Sequence, residues 1–201
     1  LGAAYWWVVA IASVFTLARF SEAFLILRAQ GVGLPLTLVP AVLVLMNVIY
    51  AAAAYPAGVM SDRIDRTTVL AVGLVLLVTA DIALALLPSV TGVALGIVLW
   101  GLHMGLTQGL LATLVADTSP PELRGTAYGL FNLLGGFAML AASVIAGALW
   151  DRAGPEATFF AGAGFALASL IILPAVAQRV GLGSSLTIAL RGALMRVSNQ
   201  V

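Results

Sequence analysis

Four side chains able to do chemistry stand inside otherwise apolar runs. Arg19 and Glu22 occur in "ARFSEAF", and His103 and Gln108 occur in "GLHMGLTQG". A charge at mid-bilayer costs about 2.5–3.5 kcal/mol on insertion scales, so such residues usually face a bundle interior or a wet cavity. On a helix, the i, i+3 spacing of Arg19 and Glu22 puts them on one face, where they can pair. Glu22 and His103 are also groups that can titrate when their surroundings change. The plainer alternative is a permanent Arg19–Glu22 ion pair beside a packed histidine. Asn47 and Asn132, also within apolar runs, are expected to hydrogen-bond between helices.

The elements that carry these residues follow from composition. The chain has 201 residues, 62% hydrophobic and 8% charged. Soluble domains carry about a quarter charged residues, so this chain cannot cover a water-facing surface. Its apolar runs are long enough to span a bilayer, which makes it an all-α integral membrane protein. The runs lack the alternation of a barrel strand. Cysteine is absent and His103 is the sole histidine, so disulfides, thiol chemistry and clustered metal ligation are excluded. No metal or other cofactor is expected. A net charge of +1 gives no reason to expect nucleic acid. The chain starts at Leu1 without a basic leader, so it reads as a fragment that something precedes.

Breaks in the apolar runs predict six spans: Tyr5–Ala29, Leu36–Val59, Thr67–Leu87, Thr91–Ala116, Gly125–Trp150 and Ala157–Val180. Each is roughly 30–39 Å long at ~1.5 Å per residue. Tyr5, Trp6, Trp7 and Trp150 fall near span ends, where aromatic residues favour the headgroup boundary. The arginines set the orientation. Arg63, Arg66, Arg124, Arg179, Arg191 and Arg196 lie on one side, against Arg28 and Arg152 on the other. That excess makes the first side, including the C-terminus, cytoplasmic in a multi-pass plasma (inner) membrane protein. Residues 181–201 read as a cytoplasmic tail, either an interfacial helix or a loose segment.

An internal repeat organises the spans. "GVMSDR" from Gly58 to Arg63 recurs as "GALWDR" from Gly147 to Arg152, an offset of 89. The offset maps Arg19 onto Gln108. Two three-helix units, about 1–89 and 90–180, result, and an odd number of spans per unit inverts the second. Residues 1–180 thus form six transmembrane helices in two inverted repeats, a construction common in secondary transporters.

"GVMSDRIDRTTVL" resembles the cytoplasmic loop signature of the major facilitator superfamily (MFS), broadly Gly-x-Leu-Ser/Ala-Asp-Arg-aromatic-Gly-Arg-Arg. Gly58, Ser61, Asp62, Arg63 and Arg66 match it, while Ile64, Asp65 and Thr67 depart from it. "PPELRGTAYGL" resembles the loop between the tenth and eleventh helices of that family, and "GALWDRAGP" the junction after the eleventh. The resemblance covers Tyr5 to Val180 and implies the C-terminal half, helices seven to twelve. Its partners would be a small-molecule solute, the lipid bilayer, and a missing N-terminal half or a second copy. Helices seven and ten line the central cavity in that fold. Arg19, Glu22, His103 and Gln108 thereby become the candidate substrate or coupling residues. Asp81, in a helix the fold puts at the periphery, is expected to be structural.

Gly58, Asp62, Arg63 and Arg66 form the candidate gating loop. Gly58 removes a side chain where two helices approach closely. Arg63 and Arg66 can pair with carboxylates or lipid phosphates, and anchoring suffices to explain them. For Asp62 the resemblance implies a cytoplasmic latch whose partner lies in the other half. Gly101, Gly105 and Gly109 make a smooth helix face for close packing. The functional expectation is part of a secondary active transporter working by alternating access, with proton coupling through Glu22 or His103 chemically open. The alternative is a non-transporting membrane assembly protein. A Ser–His or paired-Asp arrangement is missing, so an enzyme is not expected.

Overall fold

Continuous apolar sequence leaves the backbone no water to bond to, and helices satisfy it internally. The computed structural model, which describes residues 1–181, is predominantly helical. The elements are α1 (Ala3–Ala18), α2 (Ala23–Gly31), α3 (Val39–Ser61), α4 (Arg66–Leu86), α5 (Val90–Asp117) and α6 (Arg124–Val180). Five helical stretches are long and apolar enough to cross a membrane: Ala3–Gly31, Leu36–Ser61, Arg66–Leu86, Val90–Asp117 and Pro121–Val180. The expected tail, residues 181–201, lies outside the described residues apart from Gly181.

Local chemistry sets the helix ends. The Asp65 carboxylate accepts from the Thr68 amide and starts α4, and the Ser89 hydroxyl oxygen does the same for α5 with Gly92. Within α6, Gly154 leaves the helix with φ 86° and ψ 174°, a backbone that favours glycine. The Thr158 hydroxyl donates to the Ala146 carbonyl at 3.2 Å. Twelve residues of straight helix would separate those groups by about 18 Å, so the chain doubles back at Gly154.

The first stretch departs from expectation. It is not one helix but two, broken at residues 19–22. Arg19 has φ −116° and ψ 80°. No glycine or proline marks the break in sequence. The packing decides it: Phe20 turns inward against Phe24, Trp100 and Phe159, with ring centroids 5.2–5.6 Å away. The amides of Arg19, Phe24 and Leu25 are re-satisfied by the carbonyls of Thr16, Ser21 and Glu22. Non-helical backbone at membrane depth is tolerated where protein buries it or a cavity borders it. Because Arg19 and Glu22 flank the break, the helical i, i+3 face expected for them does not exist.

α5 packs against both α3 and α4, α4 packs also on α6, and α1 lies along α6. Glycine permits the α3–α5 crossing. A Cβ at Gly101 would stand 2.7 Å from the Met46 carbonyl oxygen, and one at Gly105 would stand 2.5 Å from the Ala53 Cβ. Gly109 and Gly58 face open space, so the close approach expected at Gly58 is not made within the described residues. Tyr5 and Trp150 also differ from expectation. Tyr5 is fully buried and donates its hydroxyl to the Ala127 carbonyl at 2.8 Å. Trp150 packs on Phe24 and Phe159. Trp6 and Trp7 remain exposed, with the Arg179 guanidinium 4.3 Å from the Trp7 ring centroid.

Candidate functional site

A cavity of about 490 Å³ opens between α1, α5 and the first part of α6. Its size falls in the range of small-molecule sites. Ser13, Thr16 and Arg19 border it from α1, Gln108 from α5, and Asn132 from α6. Gly135 and Gly136 keep the α6 wall free of side chains, while Val9, Ala12, Leu111, Phe131 and Met139 supply apolar surface. Arg19 and Gln108, the repeat-related pair, therefore meet around one space. Asn132 joins them rather than bonding between helices, and Asn47 donates to Leu43 in its own helix at 2.8 Å. Neither asparagine makes the expected interhelical bond among the described residues.

Charge is unevenly served here. Arg19 makes no ion pair among the described residues, and its Nε is buried without a hydrogen-bond partner. Glu22 acts on it electrostatically but neither pairs with it nor lines the cavity. The Ser13 and Thr16 hydroxyls donate to Val9 and Ala12 carbonyls at 2.9 Å, which leaves only their oxygen lone pairs for a ligand.

His103 is 2% exposed, and its Nδ1 lies 2.7 Å from the Gly73 carbonyl oxygen. It ties α5 to α4 and does not line the cavity. Asp81, expected at the periphery, is instead fully buried with both oxygens unpartnered. A Cβ on Gly162 would stand 2.7 Å from its Oδ2, so only glycine admits the carboxyl there.

One arginine carries a role its sequence context did not announce. Arg28 is 4% exposed, with Nε donating to the Leu84 carbonyl at 2.8 Å and Nη2 to the Ala85 carbonyl at 3.1 Å. Its Nη1 pairs with Glu156 at 3.2 Å. A cation on the last carbonyls of α4 satisfies orphan acceptors and complements the helix dipole. The only sequence signal was a charge beside an apolar run, and the partners lie 56 to 128 residues away.

At the opposite end, Arg66 forms an ion pair with Asp117. Asp62 and Arg63 are exposed. The loop thus joins α4 to the end of α5 through Arg66 alone among its candidate residues. Among the described residues no group of His, Cys, Asp and Glu is arranged to hold a metal.

The sequence profile of the Major Facilitator Superfamily matches residues 2–189. The chain belongs to this superfamily. MFS membership sets it among transporters rather than enzymes. An MFS-type transporter of Methanocaldococcus jannaschii, itself uncharacterized, is 35% identical over 169 residues, covering 81% of this chain and 42% of that protein. The peptide transporter POT, crystallised with sulfate, superposes with a TM-score of 0.65 at 17% identity over 97% of this chain and 44% of its own. Its complex with alafosfalin gives 0.66 at 17% identity, over 98% and 42%. The two structural matches establish an MFS fold. The chain spans less than half the length of these MFS relatives.

Proposed function

We propose that this chain is one half of a secondary active transporter that moves a small solute by alternating access. In this reading it has six transmembrane helices in two inverted three-helix units. The observation that carries it is the convergence of the repeat-related Arg19 and Gln108 on one membrane-embedded cavity. The repeat has further support in local geometry. α4 begins after Asp65, and the chain reverses at Gly154, its counterpart at the offset of 89. Pro35 (φ −58°, ψ 143°) and Pro120 (φ −57°, ψ 143°), 85 rather than 89 residues apart, each precede a 3-10 turn that leads into a long helix.

The cavity lies toward the end that carries Arg66 and Asp117. Phe20, Phe24, Trp100, Trp150 and Phe159 pack on one another outside its lining. With the arginine-rich end taken as cytoplasmic, this reading has the cavity lie toward the cytoplasm. The exposed Asp62 is then free to latch onto the remainder of the transporter when the cavity closes. The exposed apolar residues Val44, Val48 and Tyr55 of α3 and Leu133, Phe137 and Leu140 of α6 suit lipid or that remainder. Proton coupling has its candidate in Glu22 more than in His103, whose ring is committed to Gly73. Wild-type pH dependence of uptake in both Glu22→Gln and His103→Ala would exclude it.

The chain contributes no cysteine, which makes the test direct. A Ser13→Cys variant of the reconstituted protein, free of other cysteines, is treated with a membrane-impermeant thiol reagent from each face in turn. Alternating access requires labelling from both faces. Labelling from one face only sinks the transporter reading and favours an assembly protein.

A further inference from the structure

Among the described residues Arg19 is the only charged one lining the cavity; Glu22 acts on it from outside the cavity, but no carboxylate pairs with it and its Nε has no hydrogen-bond partner. A guanidinium keeps its proton in proteins, so the burden of its burial cannot be shed by neutralisation. Holding a charge at membrane depth is costly, and a bound anion offsets that cost. Among the described residues no aspartate or glutamate borders the cavity, so a cationic solute meets the wrong field. The Gln108 and Asn132 amides border the same space with no hydrogen bond among the described residues, and they add donors. Ser13 and Thr16, with their protons committed to the helix, can only accept.

Resting on the transporter reading above, we infer that the solute is a small oxyanion that also carries hydroxyl groups. Its carboxylate or phosphate sits on the planar fork of Arg19, the side chain best shaped to hold two oxygens at once. Its hydroxyl protons are donated to Ser13 and Thr16, and Gln108 and Asn132 bracket the remainder. The pairing of one fixed cation with two acceptor-only hydroxyls distinguishes this solute from a simple inorganic anion or an amine.

The test measures thermal unfolding of the purified, detergent-solubilised protein with five probes: L-malate, sn-glycerol 3-phosphate, inorganic phosphate, glycerol and choline. The expected result is saturable stabilisation by malate or glycerol 3-phosphate, weaker or no effect from inorganic phosphate, and none from glycerol or choline. Arg19→Gln should weaken the anion effect about ten- to a hundred-fold, the loss of a charge-assisted hydrogen bond pair. Arg19→Lys, which keeps the charge without the fork, should fall between. The inference is overturned if neither hydroxylated anion stabilises the protein, or if Arg19→Gln responds like wild type. It also fails if Arg19→Gln lowers the unfolding temperature without any anion, because Arg19 is then held by a carboxylate elsewhere in the assembled protein. Thiol labelling at Ser13→Cys separates the two readings. Two-faced labelling with no anion response refutes the solute class alone, whereas one-faced labelling refutes the transporter itself.

Discussion

Arg19 and Arg28 lie in the same membrane-length stretch, yet the fold treats them oppositely. Arg28 has three partners, at the end of α4 and on Glu156. Arg19 has none among the described residues and borders a cavity. Both are cations within an apolar stretch, Arg28 buried and Arg19 partly so, and residue type alone gives no hint of the difference. A charge that its own fold satisfies holds the fold together. A charge left unsatisfied costs stability, and such a cost is retained where another molecule answers it.

Substitutions can break this contrast. The largest effect is expected from Arg28→Met, which strands two carbonyls and a carboxylate. It should cost about 2–4 kcal/mol, read as lost stability in detergent unfolding. Arg19→Gln should move stability by less than about 0.5 kcal/mol, or raise it, while solute binding collapses. Comparable losses of stability in the two variants would erase the distinction. His103→Leu, which removes a buried bond to a carbonyl already inside a helix, should cost about 1 kcal/mol. Glu156→Gln sharpens the Arg28 case. Glu156 is half exposed, so the change should cost no more than about 1 kcal/mol and show that the carbonyls carry most of the clamp. Arg66→Ala, at the open end, is also expected to be mild. Its ion pair with Asp117 is solvent-exposed and should contribute about 0.2–1 kcal/mol, screened further by salt.

Much of the fold was legible because its signals are local. Asp65, Ser89 and Gly154 mark helix boundaries with their own side chains or backbone freedom, and the apolar runs between them set the lengths. Gly101 and Gly105 announced a close crossing, which α3 supplies. Gly58 carried a similar signal, yet no element of the described chain comes near it. Arg19 and Gln108 were readable as cavity residues from their polarity inside apolar runs, and Asn132 was readable as polar but not as theirs. His103 and Glu22 show the limit. Their residue types permit proton chemistry, but one is committed to the Gly73 carbonyl and the other stands outside the cavity.

Composition and pattern by themselves determined that this chain is a helical membrane protein, with its charges confined to loops and a few intramembrane positions. Those conclusions depend on hydration cost and helix period, which act residue by residue. The tertiary structure alone decided that the first stretch breaks at Arg19, because Phe20 packs inward on rings from distant helices. It alone decided that Arg28 clamps α4 while Arg19 is left open to the cavity. Whether a buried charge finds a partner depends on groups far away in sequence, and only packing brings those groups within a hydrogen bond's reach.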